Sequence, residues 1–147
     1  MKIQEGCNRY CSYCIIPSVR GPIRSRGIEE IRAEAQRLSE AGYREIVLTG
    51  IHLTSYGQDL KDGSRLTDAI RAVHGVPGIR RIRLGSLEPV IVTADFVREL
   101  ETLPKVCRQF HLALQSGSDA ILAKMRRRYT SSAFLEACRM CWPVRGP

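Results

Sequence analysis

Apolar and polar positions along this chain switch between two periods, and the switches mark out the elements. Lys2-Ile3-Gln4-Glu5 is a short predicted strand that runs straight into a group of cysteines. From Ile28 to Ala41 the apolar positions Ile28, Ile31, Ala35 and Leu38 recur every three or four residues, the spacing of one helix face. Glu29 and Glu30 stand in its first turn, where the helix dipole favours them, and Gly42 suits a left-handed C-terminal cap. Glu45 to Thr49 then reads as a buried strand ending at Gly50, and Leu66, Ala69, Ile70 and Val73 as a second helix closing near Gly75. Arg80 to Leu84 is a third strand in which Ile82 and Leu84 alternate with arginines. Thr93 caps a helix through Phe96, Val97 and Leu100 that stops before Pro104. Phe110 to Leu114 is a fourth strand, Ser118 opens the helix after it, and Thr130 a last one through Phe134, Leu135 and Cys138.

Four strand–helix pairs at intervals of roughly 30 to 45 residues predict right-handed βαβ units on a parallel sheet, an α/β fold. Periodicity alone does not separate an open sheet from part of a barrel. No low-complexity tract or internal domain boundary interrupts the pattern.

Composition narrows the classes. The 147 residues are 44% hydrophobic and 26% charged, which suits one domain with a core and excludes a disordered tail. No run reaches the ~18 apolar residues of a spanning helix, so no membrane role is expected. The start lacks the pattern of a signal peptide, and a cytoplasmic location is the expectation. With 23 Lys+Arg against 15 Asp+Glu the formal charge is +8, which draws polyanions and nucleic acid first. Arg-rich solvated helix faces account for the same balance. Aromatic residues, at 6%, offer no stacking platform.

Six cysteines without an export signal point to metal or catalytic thiols rather than a disulfide framework. Cys7-x3-Cys11-x2-Cys14 places three thiols on one short loop directly after a strand. Such a loop can wrap three irons of a 4Fe-4S cluster and leave the fourth open to a small molecule. Gly6 allows the close backbone approach that precedes the first ligand. The competing arrangement is a four-cysteine zinc site pairing Cys11-x2-Cys14 with Cys138-x2-Cys141. Its halves stand ~120 residues apart, far beyond the ~15–20 of zinc ribbons.

The cysteine loop, with aromatic Tyr13 before the third thiol, resembles that of the radical S-adenosylmethionine enzymes. The flanking text resembles the methylthiotransferase branch: Lys2-Ile3-Gln4-Glu5-Gly6-Cys7, Cys14-Ile15-Ile16-Pro17, Arg20-Gly21-Pro22 and Arg24-Ser25-Arg26. So do Leu48-Thr49-Gly50-Ile51-His52-Leu53 with Ser55-Tyr56-Gly57, Ser86-Leu87-Glu88-Pro89, and Leu114-Gln115-Ser116-Gly117-Ser118-Asp119 leading to Arg128-Tyr129-Thr130. Gly50-Ile51-His52 is most similar to enzymes that modify threonylcarbamoyladenosine beside the tRNA anticodon. The likeness runs from Met1 to about Cys138.

The resemblance implies a partial parallel (β/α) barrel of radical-SAM type with about four β/α units. It implies a 4Fe-4S cluster and S-adenosyl-L-methionine as cofactors, and a radical that activates C2 of a modified adenosine at position 37 of tRNA for methylthiolation. Carried over residue by residue, Cys7, Cys11 and Cys14 are the cluster ligands. Tyr13 places the adenine edge, Thr49 and Gly50 hold the methionyl amino group, and Ser86, Glu88, Gln115 and Ser116 are candidates for ribose or carboxylate contacts. All lie past the C-terminal ends of predicted parallel strands, where α/β sheets and barrels build sites.

Plainer roles fit the same residues. Ser116 and Ser118 suit helix capping, Glu88 suits a pair with a neighbouring arginine, and Thr49 suits a buried strand position. His52 is a loop residue suited to catalysis or to a structural hydrogen bond, His74 reads as structural, and His111 fits either face of its strand. Cys107, Cys138 and Cys141 read as small apolar residues. Three arginine groups (Arg20, Arg24, Arg26; Arg80, Arg81, Arg83; Arg126, Arg127, Arg128) are candidate phosphate contacts for tRNA. The implied partners are the anticodon region of tRNA and an electron donor such as a flavodoxin or ferredoxin.

The likeness also breaks in places. Family members carry an N-terminal domain with a second cluster and a C-terminal RNA-binding barrel, and their core has six strands. Residues 1–147 are therefore expected to be a radical-SAM core incomplete on its C-terminal side, one not expected to complete methylthio transfer alone. Ser18 stands where an aromatic is usual and Arg126 where asparagine is usual. The text from Met140 to Pro147 leaves the family pattern and is not expected to continue a helix. Two readings compete with the leading one: a radical enzyme on another substrate, and a basic cluster- or zinc-containing RNA-binding fragment without catalysis.

Overall fold

A computed structural model describes residues 1–141. Its sheet has four strands: β1 (Lys2–Glu5), β2 (Arg24–Ser25), β3 (Glu45–Gly50) and β4 (Arg81–Leu84), in the order β2-β1-β3-β4. β1, β3 and β4 run parallel, with Lys2 opposite Thr49 and Ile46 opposite Ile82, while β2 pairs antiparallel on the outer edge of β1. The connecting helices are α1 (Ile16–Arg20), α2 (Ile28–Glu40), α3 (Leu66–His74), α4 (Ala94–Glu101), α5 (Asp119–Lys124) and α6 (Ser131–Cys141).

The sheet is covered on one face. Ile46 and Leu48 of β3, with Ile82 and Leu84 of β4, turn into a core shared with Ile31 and Ala35 of α2 and Ile70 and Val73 of α3. Each fully buried Leu or Ile there contributes roughly 1.5–3 kcal/mol. On the other face Val47 is 40% exposed, and Glu45 accepts hydrogen bonds from Arg81 and Arg83 at 2.6 and 2.8 Å. β3 is thus half-buried rather than buried, and the Arg-Ile-Arg-Leu alternation of β4 follows from the same open face.

The helix caps follow local chemistry. Gly42, at φ +94°, ends α2: its N–H reaches Ser39 and that of Tyr43 reaches Leu38, each at 3.0 Å. Thr93 Oγ1 accepts the Phe96 N–H at 3.1 Å, and Thr130 Oγ1 accepts that of Ala133 at 3.2 Å. At the end of α3, Lys105 Nζ donates to the carbonyls of His74 and Val76 at 2.7 and 3.0 Å. Burial and that neighbouring ammonium hold the His74 imidazole below its usual pKa.

Three elements depart from the sequence expectation. Phe110 to Leu114 forms no continuous strand: the chain touches the sheet only at two parallel bridges, Ile82 with Val106 and Leu87 with Leu112. Between them β4 has already ended at Leu84, and residues 108–110 make no bridge to the sheet. The fourth strand is instead the two-residue β2, too short to carry a hydrophobic pattern. Finally, α6 continues through Met140 and Cys141; the sequence from Trp142 to Pro147 lies outside the described residues.

No helix among the described residues is long and apolar enough to cross a membrane.

Candidate functional site

The C-terminal ends of the parallel strands converge. β1 leads through Gly6 into the cysteine loop, β3 ends at Thr49-Gly50, β4 leads into Ser86-Leu87-Glu88, and the bridge at Leu112 leads to Gln115-Ser116. Gly6 sits at φ +69°, and a Cβ there would stand 1.8 Å from the Pro22 carbonyl oxygen. A side chain at that position is therefore excluded.

The loop is pinned at several points. Cys7 N–H donates to the Gly21 carbonyl at 3.0 Å, Ser12 N–H to the Met125 carbonyl at 3.3 Å, and Cys14 N–H to the Cys11 carbonyl at 3.0 Å. Cys7, Cys11 and Cys14 are free thiols, the first buried and the others half-buried. Burial pushes the Cys7 thiol up; the charges of Cys11, Cys14 and Glu88 act in the same sense, and a backbone hydrogen bond from Arg9 opposes them. Tyr13 stands 54% exposed at the loop's rim.

Beside the loop lies a buried charge network. Glu88, 4% exposed, takes Arg127 Nη2 on Oε1 at 2.8 Å. Its Oε2 takes Arg9 Nε at 3.0 Å, with Arg9 Nη2 also on it, and lies 3.2 Å from His52 Nε2. Its own N–H donates to Thr54 Oγ1 at 2.9 Å. Burial alone would raise this carboxyl, but His52 and Arg9 outweigh it and hold the pKa at about 2. Arg127 reaches on to the cysteine loop, its Nη1 donating to Cys11 Sγ at 3.3 Å.

Gln4, 1% exposed, fastens two strand ends: its amide nitrogen donates to the carbonyls of Glu5 and Gly6, and its oxygen accepts the His52 N–H. Gly50 packs on it so closely that a Cβ would lie 2.7 Å from Gln4 Oε1.

The expected residues divide accordingly. Thr49 is half-buried, its hydroxyl 3.4 Å from the Met1 carbonyl, and Ser86 is exposed. Ser116 N–H reaches the Leu114 carbonyl at 2.9 Å, holding Gln115 at φ +66°, and Ser116 Oγ accepts the Ser118 N–H at 3.1 Å. Among the described residues the non-glycine positions with positive φ are Tyr10, Gln115 and Arg126. All three flank this site, where strain of this kind concentrates. His52 Nδ1 lies 2.5 Å from Ser55 Oγ, while its buried Nε2, although 3.2 Å from Glu88 Oε2, makes no well-aligned hydrogen bond.

The arginine groups separate as well. Arg127, with 7% of its side chain exposed, is structural to the site and not free to touch phosphate. Arg81 and Arg83 share Glu45, and Arg26 faces Glu30 and Glu34, whereas Arg20, Arg24, Arg80, Arg126 and Arg128 are exposed. Arg9, Gln4 and Tyr129 carry site geometry that residue spacing did not single out.

The whole described chain, residues 1–141, matches the Radical SAM superfamily. The chain belongs to that superfamily. Among curated proteins it is similar to "Threonylcarbamoyladenosine tRNA methylthiotransferase MtaB" of Bacillus subtilis (strain 168), 44% identical over 136 residues, 92% of this chain and 30% of that protein. It is also similar to the "tRNA-2-methylthio-N(6)-dimethylallyladenosine synthase" of Acetivibrio thermocellus, 40% identical over 133 residues, 90% of this chain and 28% of that protein. The chain thus spans less than a third of the length of either relative.

Solved structures agree on the fold. The radical S-adenosylmethionine methyltransferase TsrM from Kitasatospora setae superposes with a TM-score of 0.73 at 20% identity, over 97% of this chain and 28% of that one. The cobalamin-dependent S-adenosylmethionine radical enzyme OxsB superposes with a TM-score of 0.75 at 16% identity, over 96% and 21%. At these identities the likeness carries the α/β architecture of a radical SAM core and no more.

The donor set bears on what the superfamily site holds. Among the described residues no three His, Cys, Asp or Glu side chains converge on a single metal-ion position, as a tetrahedral zinc would need. A multi-iron cluster asks for something different, each thiolate on its own iron. Three free thiols on one pinned loop, with a cation beside one sulfur, fit that demand.

Proposed function

We propose that this chain is the radical S-adenosylmethionine core of a tRNA methylthiotransferase. Cys7, Cys11 and Cys14 hold a 4Fe-4S cluster, and the target is C2 of threonylcarbamoyladenosine at position 37. The observation that carries the reading is the pinned three-thiol loop at the convergent strand ends, beside a buried Glu88 whose charge is met from three elements. The sequence likeness to methylthiotransferases over nine-tenths of the chain supports the reaction class.

When bound, the cluster and S-adenosylmethionine supply the one-electron chemistry that activates the C2–H bond. The chain's own residues bind and orient. Tyr13, exposed at the rim, offers an edge for the adenine. Thr49 and Gly50, at the end of β3 with Gly50 packed on Gln4, are the positions for the methionyl amino group. Ser86 follows β4, Gln115 and Ser116 follow the bridge at Leu112, and all three suit ribose or carboxylate contacts. Glu88 has both oxygens engaged, so it acts through Arg9, His52 and Arg127, which set the charge of the wall behind the cofactor. Exposed Arg20, Arg24, Arg126 and Arg128 near the loop and α5 suit the phosphates of an anticodon stem-loop. A flavodoxin or ferredoxin is the electron donor this chemistry calls for, in the cytoplasm where tRNA is modified.

The test is anaerobic. The reconstituted chain, given dithionite and S-adenosylmethionine, is expected to release 5′-deoxyadenosine. Release should rise more with tRNA bearing threonylcarbamoyladenosine than with tRNA bearing dimethylallyladenosine. The reverse preference overturns the substrate. A loaded cluster that never yields 5′-deoxyadenosine overturns catalysis by this chain.

A further inference from the structure

Arg127 is held by every nitrogen it has. Nη1 donates to Cys11 Sγ at 3.3 Å, Nη2 to Glu88 Oε1 at 2.8 Å, and Nε to the Tyr129 hydroxyl at 3.0 Å. That hydroxyl in turn donates to the Ala113 carbonyl at 2.6 Å. The backbone is fixed too: α5 ends with Arg126 at φ +58°, and the Arg127 N–H returns to the Leu122 carbonyl at 2.9 Å. Only 7% of the side chain meets solvent, so the cation works at low screening. Among the described residues Cys11 is the one loop thiol that accepts a hydrogen bond from a charged side chain.

We propose that Arg127 and Glu88 are positioning residues that set the reduction potential of the cluster in opposite directions. The inference rests on the cluster reading above. A cluster that accepts one electron gains a negative charge, and its potential answers to hydrogen bonds on its sulfurs and to nearby charge. The Arg127 guanidinium at the Cys11 sulfur favours the reduced form. Glu88, on the other terminal nitrogen of that guanidinium, offsets part of its charge and also locks its direction. A buried arginine alone would overstate the cation; the pair delivers an oriented donor with a moderated field. Lysine cannot replace it, because a single ammonium does not reach three partners in one plane.

The experiment is a dithionite titration of the reconstituted full chain, read by visible absorbance, with iron and sulfide counted per chain. At the wild-type midpoint, Arg127→Met is expected to lower the reduced-to-oxidised ratio about tenfold, a shift of about 59 mV for one electron. Glu88→Gln is expected to raise the ratio, and Arg127→Lys to fall between Arg127→Met and wild type. Should Arg127→Met take up no iron, the Arg127→Lys and Glu88→Gln pair decides by the same signs. Midpoints that stay at the wild-type value, or that move the same way in the Arg127 and Glu88 variants, overturn the inference, since a merely structural role predicts no such opposition. A wild-type chain that loads no iron overturns the cluster reading instead, and this inference with it.

Discussion

The side-chain oxygen of Gln4 accepts the backbone N–H of His52 at 2.8 Å, joining the exit of β1 to the exit of β3. The same side chain donates to the carbonyls of Glu5 and Gly6 at 2.7 and 2.8 Å, just before the first cysteine. Gln4→Leu strands one buried donor and two acceptors, at about 1–3 kcal/mol for each group left without a partner. Partial relaxation reduces the total. The expected loss is about 3 kcal/mol by urea unfolding, and a loss below about 0.5 kcal/mol would show that the two strand ends are held by something else.

Gly6 and Gly42 make a controlled comparison. Both have positive φ, +69° and +94°, but a Cβ meets the Pro22 oxygen at 1.8 Å in the first case and nothing within 4 Å in the second. Gly42→Ala should cost only the left-handed conformation, about 1–2 kcal/mol. Gly6→Ala adds a clash with backbone and should cost clearly more, with lost thiol-loop geometry. Equal costs for the two variants would contradict this account of the loop.

Arg126 occupies the left-handed position that ends α5, where glycine or asparagine sits more easily. Arg126→Gly is expected to stabilise the chain by about 1 kcal/mol in thermal or urea unfolding. Arg126→Val should do the opposite. A neutral Arg126→Gly means that the exposed arginine contributes something besides its backbone.

Glu88 links stability to acid. Its carboxyl lies at about 2 in the fold against an ordinary 4.5, so its stabilisation is fully present above pH 4.5 and is lost as pH falls through 2. The size is about 3 kcal/mol by the usual conversion. Exposed paired carboxylates such as Glu45 also lie low through their arginine partners, but salt screens those. Unfolding free energy measured between pH 5 and pH 2 at about 0.5 M salt should therefore retain a slope in wild type that flattens in Glu88→Gln. An unchanged slope would place the acid sensitivity elsewhere.

The sequence made the repeating elements legible because their signals are local. α2, α3 and α4 announce themselves through three- and four-residue spacing, and β4 through its Arg-Ile-Arg-Leu alternation. Phe110 to Leu114 has the composition of a strand but pairs only at Leu112, with Leu87 beyond the end of β4 at Leu84; composition carries no information about that. β2 and α1 are too short and too exposed to show a period. Of the candidate site, the three-cysteine loop stands out by spacing alone. The network behind them is not: Arg9, Glu88 and Arg127 are 79 and 39 residues apart along the chain, and nothing local distinguishes a buried pair from a solvated charge. Arg127 illustrates the difficulty, since it stands between two exposed arginines and reads as surface until the turn at Arg126 rotates it inward.

The most direct test of the central claim is metal content after anaerobic reconstitution, compared across all six cysteines. The account predicts about four iron and four sulfide per wild-type chain. It predicts that loading is lost in Cys7→Ala, Cys11→Ala and Cys14→Ala and kept in Cys107→Ala, Cys138→Ala and Cys141→Ala. One zinc per chain that disappears with Cys138→Ala or Cys141→Ala, or full iron loading without Cys7, Cys11 or Cys14, would contradict it.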